Sequence, residues 1–170
     1  MINKQIESLL LHCQDQLMIP ADRCATVWED NNLLHALMLL SSVGYSEIPV
    51  LNMQRQSVGS INMPLIMGAI KTETAYLWDQ LSHYKVSEVM RRNVGLVKGD
   101  YELEDVLHAI VDHNYIHVTD ENGVFIGIIT RKEILGRVNF LAHQIDSYCD
   151  IYPHPDMNFR LRDLCASHGR

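Results

Sequence analysis

The run Gly127-Ile128-Ile129-Thr130-Arg131-Lys132-Glu133-Ile134-Leu135 decides how the chain folds. Its first residues are continuously apolar, as in a buried strand, and after Thr130 the pattern changes to the three-and-four spacing of a helix, marked by Ile134, Leu135, Val138, Leu141 and Ile145. That helix is expected to run to about Tyr148. Upstream, Tyr115-Ile116-His117-Val118 reads as the strand that pairs with the apolar run across a turn. A strand, a hairpin, a second strand and a helix therefore follow one another directly.

The same order stands earlier in the chain. Glu47 to Leu51 reads as a strand, Asn52 to Ser57 as a polar turn and Val58 to Ile61 as the returning strand, and Pro64 suits the first turn of a helix running to Ile70. Before them, Leu33, Ala36, Leu37 and Leu40 form one face of a helix that Asn31 or Asn32 can cap and Gly44 can stop. A short β-prone piece lies at Ala25 to Trp28. The landmarks repeat in register: Met90 follows Met18 by 72 residues, and Asp105-Val106-Leu107 follows His35-Ala36-Leu37 by 70. Asn114-Tyr115 follows Gly44-Tyr45 by 70, Ile116-His117-Val118 follows Ile48-Pro49-Val50 by 68, and Gly127 follows Gly59 by 68. The falling offset is what two loops, each shortened by two residues in the second copy, would produce.

An amphipathic helix carrying Ile6, Leu9, Leu10, Cys13 and Leu17 precedes the first copy and is expected to end near Met18, before Pro20. The organisation expected is an N-terminal helix over 1–17, a first motif over 18–71, a linker over 72–85, a second motif over 86–147 and a tail over 148–170. In the tail, Tyr152-Pro153-His154-Pro155 breaks any helix, and Asn158 to Leu164 has the makings of one more turn. A unit of about 60 residues is marginal alone. The fold class is therefore α/β (α+β): two small sheets with flanking helices, packed face to face over one shared core, with clefts between the copies.

Composition narrows the function. The chain has 170 residues, 47% hydrophobic and 21% charged, and 14 Lys and Arg against 21 Asp and Glu give a net charge of −7. Such a balance repels a nucleic-acid backbone. No apolar run approaches the roughly 20 residues of a membrane span, and the first residues do not form a signal peptide, so the expected location is the cytoplasm. Cys13, Cys24, Cys149 and Cys165 form no Cys-x-x-Cys pair, and the nine histidines fall in no metal-binding spacing, so no metal or cofactor is expected. Nothing makes an activated nucleophile, a paired-acid site or a Gly-rich phosphate loop, and an enzyme is not expected.

The repeated unit, with Tyr45-Ser46-Glu47-Ile48-Pro49-Val50 in one copy and Gly127-Ile128-Ile129-Thr130-Arg131-Lys132-Glu133-Ile134-Leu135 in the other, resembles the cystathionine-β-synthase (CBS) domain, and the tandem resembles a Bateman module. Gln16 to Arg23, Asn31 to Leu37 and Gly44 to Leu51 further resemble the stand-alone cyclic-di-AMP-binding CBS proteins of Gram-positive bacteria, the CbpB or DarB type. The resemblance implies a receptor for cyclic di-AMP, a flat homodimer, and a protein partner controlled by ligand occupancy, an alarmone synthetase among those of the family. AMP, ATP or S-adenosylmethionine is the alternative ligand, and an interaction adaptor with decayed clefts the alternative class.

By the same resemblance, Thr130 and Glu133 have the spacing of the hydroxyl and acid that hold a ribose, with Glu where the family more often has Asp. Thr-x-x-Glu at a helix start is equally a capping box, and both readings stand. The first copy has Asn62 and Leu65 there instead. Arg131 and Lys132 lie in the first turn of the last helix, where a phosphate would offset the unfavourable interaction of a cation with the helix dipole. Arg131 is therefore expected to bind phosphate, as is Arg23 from the loop before the first strand; an ordinary solvated charge is the other reading of each. Tyr45 offers a face for stacking on adenine or for core packing beside Pro49. Ala25, Thr26, Ser46, Ile48 and Pro49 complete the candidate wall, with backbone groups for the purine edge.

Overall fold

In a computed structural model of the protein, residues 4–11 and 17–148 are described. The first helix, α1, is described over Lys4–Leu11, and residues 12–16 of its expected run to Met18 lie outside the described residues. Of the tail expected over 148–170, all beyond Tyr148 lies outside the described residues. The first motif comprises β1 (Ile19–Pro20), a 3-10 turn (Ala21–Arg23), β2 (Val27–Trp28), α2 (Leu33–Val43), β3 (Glu47–Leu51), β4 (Ser57–Asn62) and α3 (Met63–Ile70). The linker makes a 3-10 turn over Trp78–Ser82. The second motif comprises α4 (Val86–Val89), β5 (Leu96–Lys98), α5 (Leu103–Asp112), β6 (Tyr115–Thr119), β7 (Phe125–Thr130) and α6 (Arg131–Tyr148).

Local chemistry sets the boundaries. Of the two asparagines before α2, Asn32 is the cap: its Oδ1 accepts the His35 N–H at 2.9 Å, while Asn31 Oδ1 accepts from Trp28 N at 3.0 Å. Gly44 ends α2 in the left-handed region, at φ 69°, and its N–H donates to the Leu40 carbonyl. Asn62 caps α3 by accepting from Leu65 N at 2.9 Å, with Pro64 in the first turn.

The repeat is visible as pairing. β3 and β4 are antiparallel, and so are β6 and β7, and every partner pair of the second hairpin is the first hairpin's pair displaced by 68 residues, including the irregularity near its turn. Leading segments cross between motifs. β1 does not join its own sheet but pairs antiparallel with β7, Ile19 opposite Ile128, and in the matching place Arg91 bridges to Ser60 of β4. The sheets are thus β1-β7-β6-β5 and β2-β3-β4.

The expected single shared core is instead two clusters. One gathers Val27, Leu33, Ile48, Ile61 and Ile66 with Leu81, Val86 and Met90 from the linker and α4; the other gathers Val97, Val106, Ile116 and Ile129 with Leu10 and Leu17 from the N-terminal segment. Each sheet is covered by its own helices, and the two units are tied by the leading segment that each lends to the other. The motifs also touch through their hairpins, where Gln56 bridges Val124 and Ser57 Oγ hydrogen-bonds His117 Nδ1.

Candidate functional site

The crossing of β1 onto β7 brings the first motif's opening loop against the start of α6. A cavity of about 520 Å³ lies between them, lined on one side by Arg23, Ala25, Tyr45, Ser46 and Pro49 and on the other by Ile128, Thr130 and Lys132. This volume lies within the roughly 300 to 1,000 Å³ of small-molecule sites. Seven of the residues expected from the sequence therefore meet at one place: Arg23, Ala25, Tyr45, Ser46, Pro49, Thr130 and Lys132.

Four others do not line it. Ile48 points the opposite way from its neighbours in β3 and is fully buried in the first core. Thr26 is half-buried ahead of β2 and outside the cavity wall. Arg131 turns to α5, where Nε donates to the Ile110 carbonyl at 3.2 Å and Nη2 to the Val111 carbonyl at 3.0 Å, satisfying carbonyls that the end of a helix leaves unpaired. Glu133 pairs with Arg137 one helical turn on, at 3.2 Å, and Arg137 also donates to the Leu10 carbonyl of α1. The capping box is thus half-made. Thr130 Oγ1 accepts from Glu133 N at 3.2 Å, but the Glu133 carboxylate is occupied by Arg137.

Arg23 and Lys132 are both exposed, and neither has an ion-pair partner among the described residues. Two unneutralised cations, on segments 109 residues apart in sequence, thus border one cavity, and Lys132 stands in the first turn of α6, at the positive end of the helix dipole. Tyr45 is 53% exposed, so its ring is available at the cavity rather than used in the core.

Pro49 contributes through what it lacks. In the second motif His117, at the matching register position, donates its N–H to the Gly95 carbonyl at 2.8 Å, which extends β5 to three residues. Pro49 has no N–H, so β2 starts only at Val27, and the Ala25 carbonyl is left without that bond at the cavity wall. An acceptor without that bond suits an amine such as that of adenine.

The cavity also has members that the sequence did not single out. Cys24 is half-buried there, with its thiol pushed up to about 11 chiefly by burial, and Sγ donates to the Pro20 carbonyl at 3.4 Å. Such a thiol is protonated and unreactive. Glu47 and Tyr115 form the inner wall. The Glu47 side chain is only 7% exposed; it accepts from Ser60 Oγ at 2.7 Å and forms a close ion pair with Arg91. Tyr115 stacks on His117 with ring centroids 5.3 Å apart. The only sequence signal for Glu47 was an acid at the start of an otherwise apolar strand.

Residues 86–139 match the CBS domain family. Cyclic di-AMP receptor B of Bacillus subtilis (strain 168) is 32% identical over 139 residues, covering 82% of this chain and 95% of that protein. Among solved structures, CbpB from Streptococcus agalactiae is 31% identical with a TM-score of 0.77, covering 90% of this chain and 96% of that one. The CbpB protein of Listeria monocytogenes in complex with c-di-AMP is 36% identical with a TM-score of 0.69, covering 74% and 94%. With a domain match in its second motif and likeness to these proteins through both motifs, the chain belongs to the CBS-domain proteins of the CbpB type.

Proposed function

We propose that this chain is a receptor for cyclic di-AMP, working in the cytoplasm, whose occupancy changes its hold on a protein partner. The observation that carries the reading is the pair of unneutralised cations, Arg23 and Lys132, facing one cavity from different motifs. Two positive groups suit a ligand with two linked phosphates, and Tyr45 and the free Ala25 carbonyl suit one of its adenines. The cyclic di-AMP complex of the Listeria relative supports the same choice. Because the cavity is walled by both motifs, a ligand there would hold them in a fixed relation, and that is a route by which occupancy reaches a partner surface. Exposed apolar residues one turn apart on α2, Leu34 and Met38, and on α6, Leu135 and Val138, suit the pairing of two copies. The role is regulatory rather than catalytic.

Thermal unfolding with cyclic di-AMP, AMP, ATP and S-adenosylmethionine tests the ligand. A ligand at 100 times its dissociation constant stabilises the fold by about 2.7 kcal/mol. The expected result is a rise in Tm with cyclic di-AMP that AMP at the same concentration does not produce. A shift with AMP, ATP or S-adenosylmethionine and none with cyclic di-AMP would reassign the receptor, and no shift with any of them would leave an adaptor.

A further inference from the structure

The inner wall of the cavity carries a polar pair with unused hydrogen-bonding capacity. The Tyr115 hydroxyl is buried without a hydrogen-bond partner among the described residues, with Ser60, whose Oγ donates to Glu47, close by. Burial, and after it the negative charge of Glu47, pushes the phenol well above its ordinary range, so it keeps its proton and remains a donor. A buried donor left without an acceptor destabilises the fold. Such a cost at the wall of a ligand-sized cavity is offset when something entering the cavity accepts the bond.

Glu47 supplies the complementary half. The hydrogen bond from Ser60 and the ion pair with Arg91 both use Oε1, which leaves Oε2 available as an acceptor. Its partners also hold it in place: the Ser60 N–H donates to the Arg91 carbonyl and the Arg91 N–H returns to the Ser60 carbonyl, each at 2.9 Å, so the backbone that carries both is locked across the motif seam. Glu133, the acid at the family's ribose position, is bound to Arg137 and lies outside the cavity wall. Glu47 is the carboxylate that lines it.

We propose that Glu47 and Tyr115 are specificity-determining residues of this cleft: the carboxylate accepts a hydrogen bond from a nucleotide donor, a ribose hydroxyl or the exocyclic amine of the base, and the phenol donates to a neighbouring acceptor. Ser60 and Arg91 are positioning residues that orient the carboxylate. The inference rests on the nucleotide-receptor reading above and adds the polar groups that read the ligand. The sequence hides this pair because Glu47 and Tyr115 occupy the same place in the two repeats, where an acid and an aromatic share no obvious role.

Isothermal titration of the full chain with three ligands tests it: cyclic di-AMP, its 2′-deoxy analogue, and cyclic di-IMP, in which the amine is replaced by a carbonyl. The wild type is expected to bind one analogue at least tenfold more weakly than cyclic di-AMP. Loss with the deoxy compound assigns the Glu47 partner to the ribose hydroxyl, and loss with cyclic di-IMP assigns it to the amine. Glu47→Gln should weaken cyclic di-AMP about tenfold and erase discrimination against that analogue, and Arg91→Gln should weaken it less, with no further effect once Glu47 is changed. Tyr115→Phe removes only a hydroxyl without a protein partner, so its Tm should hold or rise while affinity falls about fivefold. Wild-type affinity for cyclic di-AMP in a folded Tyr115→Phe, or equal wild-type affinity for all three ligands, would overturn the proposal. No binding of cyclic di-AMP by the wild type would instead remove the receptor reading and this inference with it.

Discussion

Gly59 and Gly127 hold the same register position in the two sheets, opposite Val50 and Val118, and each is crossed at contact distance by the segment that leads into the other motif. A Cβ on Gly127 would lie 2.3 Å from the Ile19 carbonyl oxygen, and one on Gly59 would lie 2.6 Å from that of Arg91. Met18 and Met90 pack at the same two crossings, which accounts for two of the landmarks repeated in the sequence. Because backbone must move to admit a methyl group, Gly127→Ala should destabilise the fold by about 2 kcal/mol or more in urea unfolding. Gly136→Ala, in the interior of α6 with nothing within 4 Å of its Cβ, should instead stabilise it by about 0.5 to 1 kcal/mol. A neutral Gly127→Ala would mean that β1 does not cross β7.

Neighbouring cations on α6 should separate by function. Lys132 borders the cavity unpaired, so Lys132→Ala should weaken cyclic di-AMP about tenfold, or roughly 1.4 kcal/mol, with Tm unchanged. Arg131 holds the last carbonyls of α5, and Arg131→Ala should lower stability by about 1 kcal/mol and leave affinity within a factor of three. Titration and urea unfolding of both variants would show the reverse assignment if the tenfold loss fell on Arg131.

Acid should weaken the fold through His117. Its ring is 1% exposed, and burial first, then the neighbouring His113, lowers it from 6.5 to about 4. Its Nδ1 shares a hydrogen bond with the Ser57 hydroxyl between the motifs, and protonation places a positive charge in that buried position. A base whose folded pKa is depressed binds its proton more readily when unfolded, so its stabilisation is complete above about pH 6.5 and is lost as pH falls toward 4. The shift corresponds to roughly 3 kcal/mol across that window. His117→Gln should flatten most of the dependence in urea unfolding at pH 7.5, 6 and 4.5, and an unchanged slope would place the acid sensitivity elsewhere.

What the sequence made legible and what it hid divide by range. Asn32, Gly44, Pro64 and Thr130 mark boundaries by chemistry confined to one turn, and the repeat foretold the constant displacement of the two hairpins. β1 was not foreseen, because two residues carry no periodicity and their partner lies 109 positions away. Arg131 reads as a phosphate arm until α5 is packed beside it, and Glu133 reads as a ribose acid until Arg137 takes it. In each case the competing partner belongs to tertiary structure, which the spacing of residues along one element does not record.

The two clefts related by the repeat should not be equivalent, and binding should saturate at one nucleotide per chain. At the 70-residue displacement that relates β2 to β5, Arg23 is replaced by Asn93, and at the 68-residue displacement that relates α3 to α6, Lys132 is replaced by Pro64. Both cations that border the first cavity are thus missing from the second place. The Gly95 carbonyl, equivalent to the free Ala25 carbonyl, is taken by the His117 N–H, and the ion pair of Arg91 with Glu47 crosses the same region. Filling it with ligand would require breaking the Arg91–Glu47 pair, without the two cations that border the first cavity. Calorimetric titration with cyclic di-AMP should give a single class of site at one per chain, abolished by a double Arg23→Ala and Lys132→Ala change. A second site surviving that change would show that the twin cleft binds by means other than these cations.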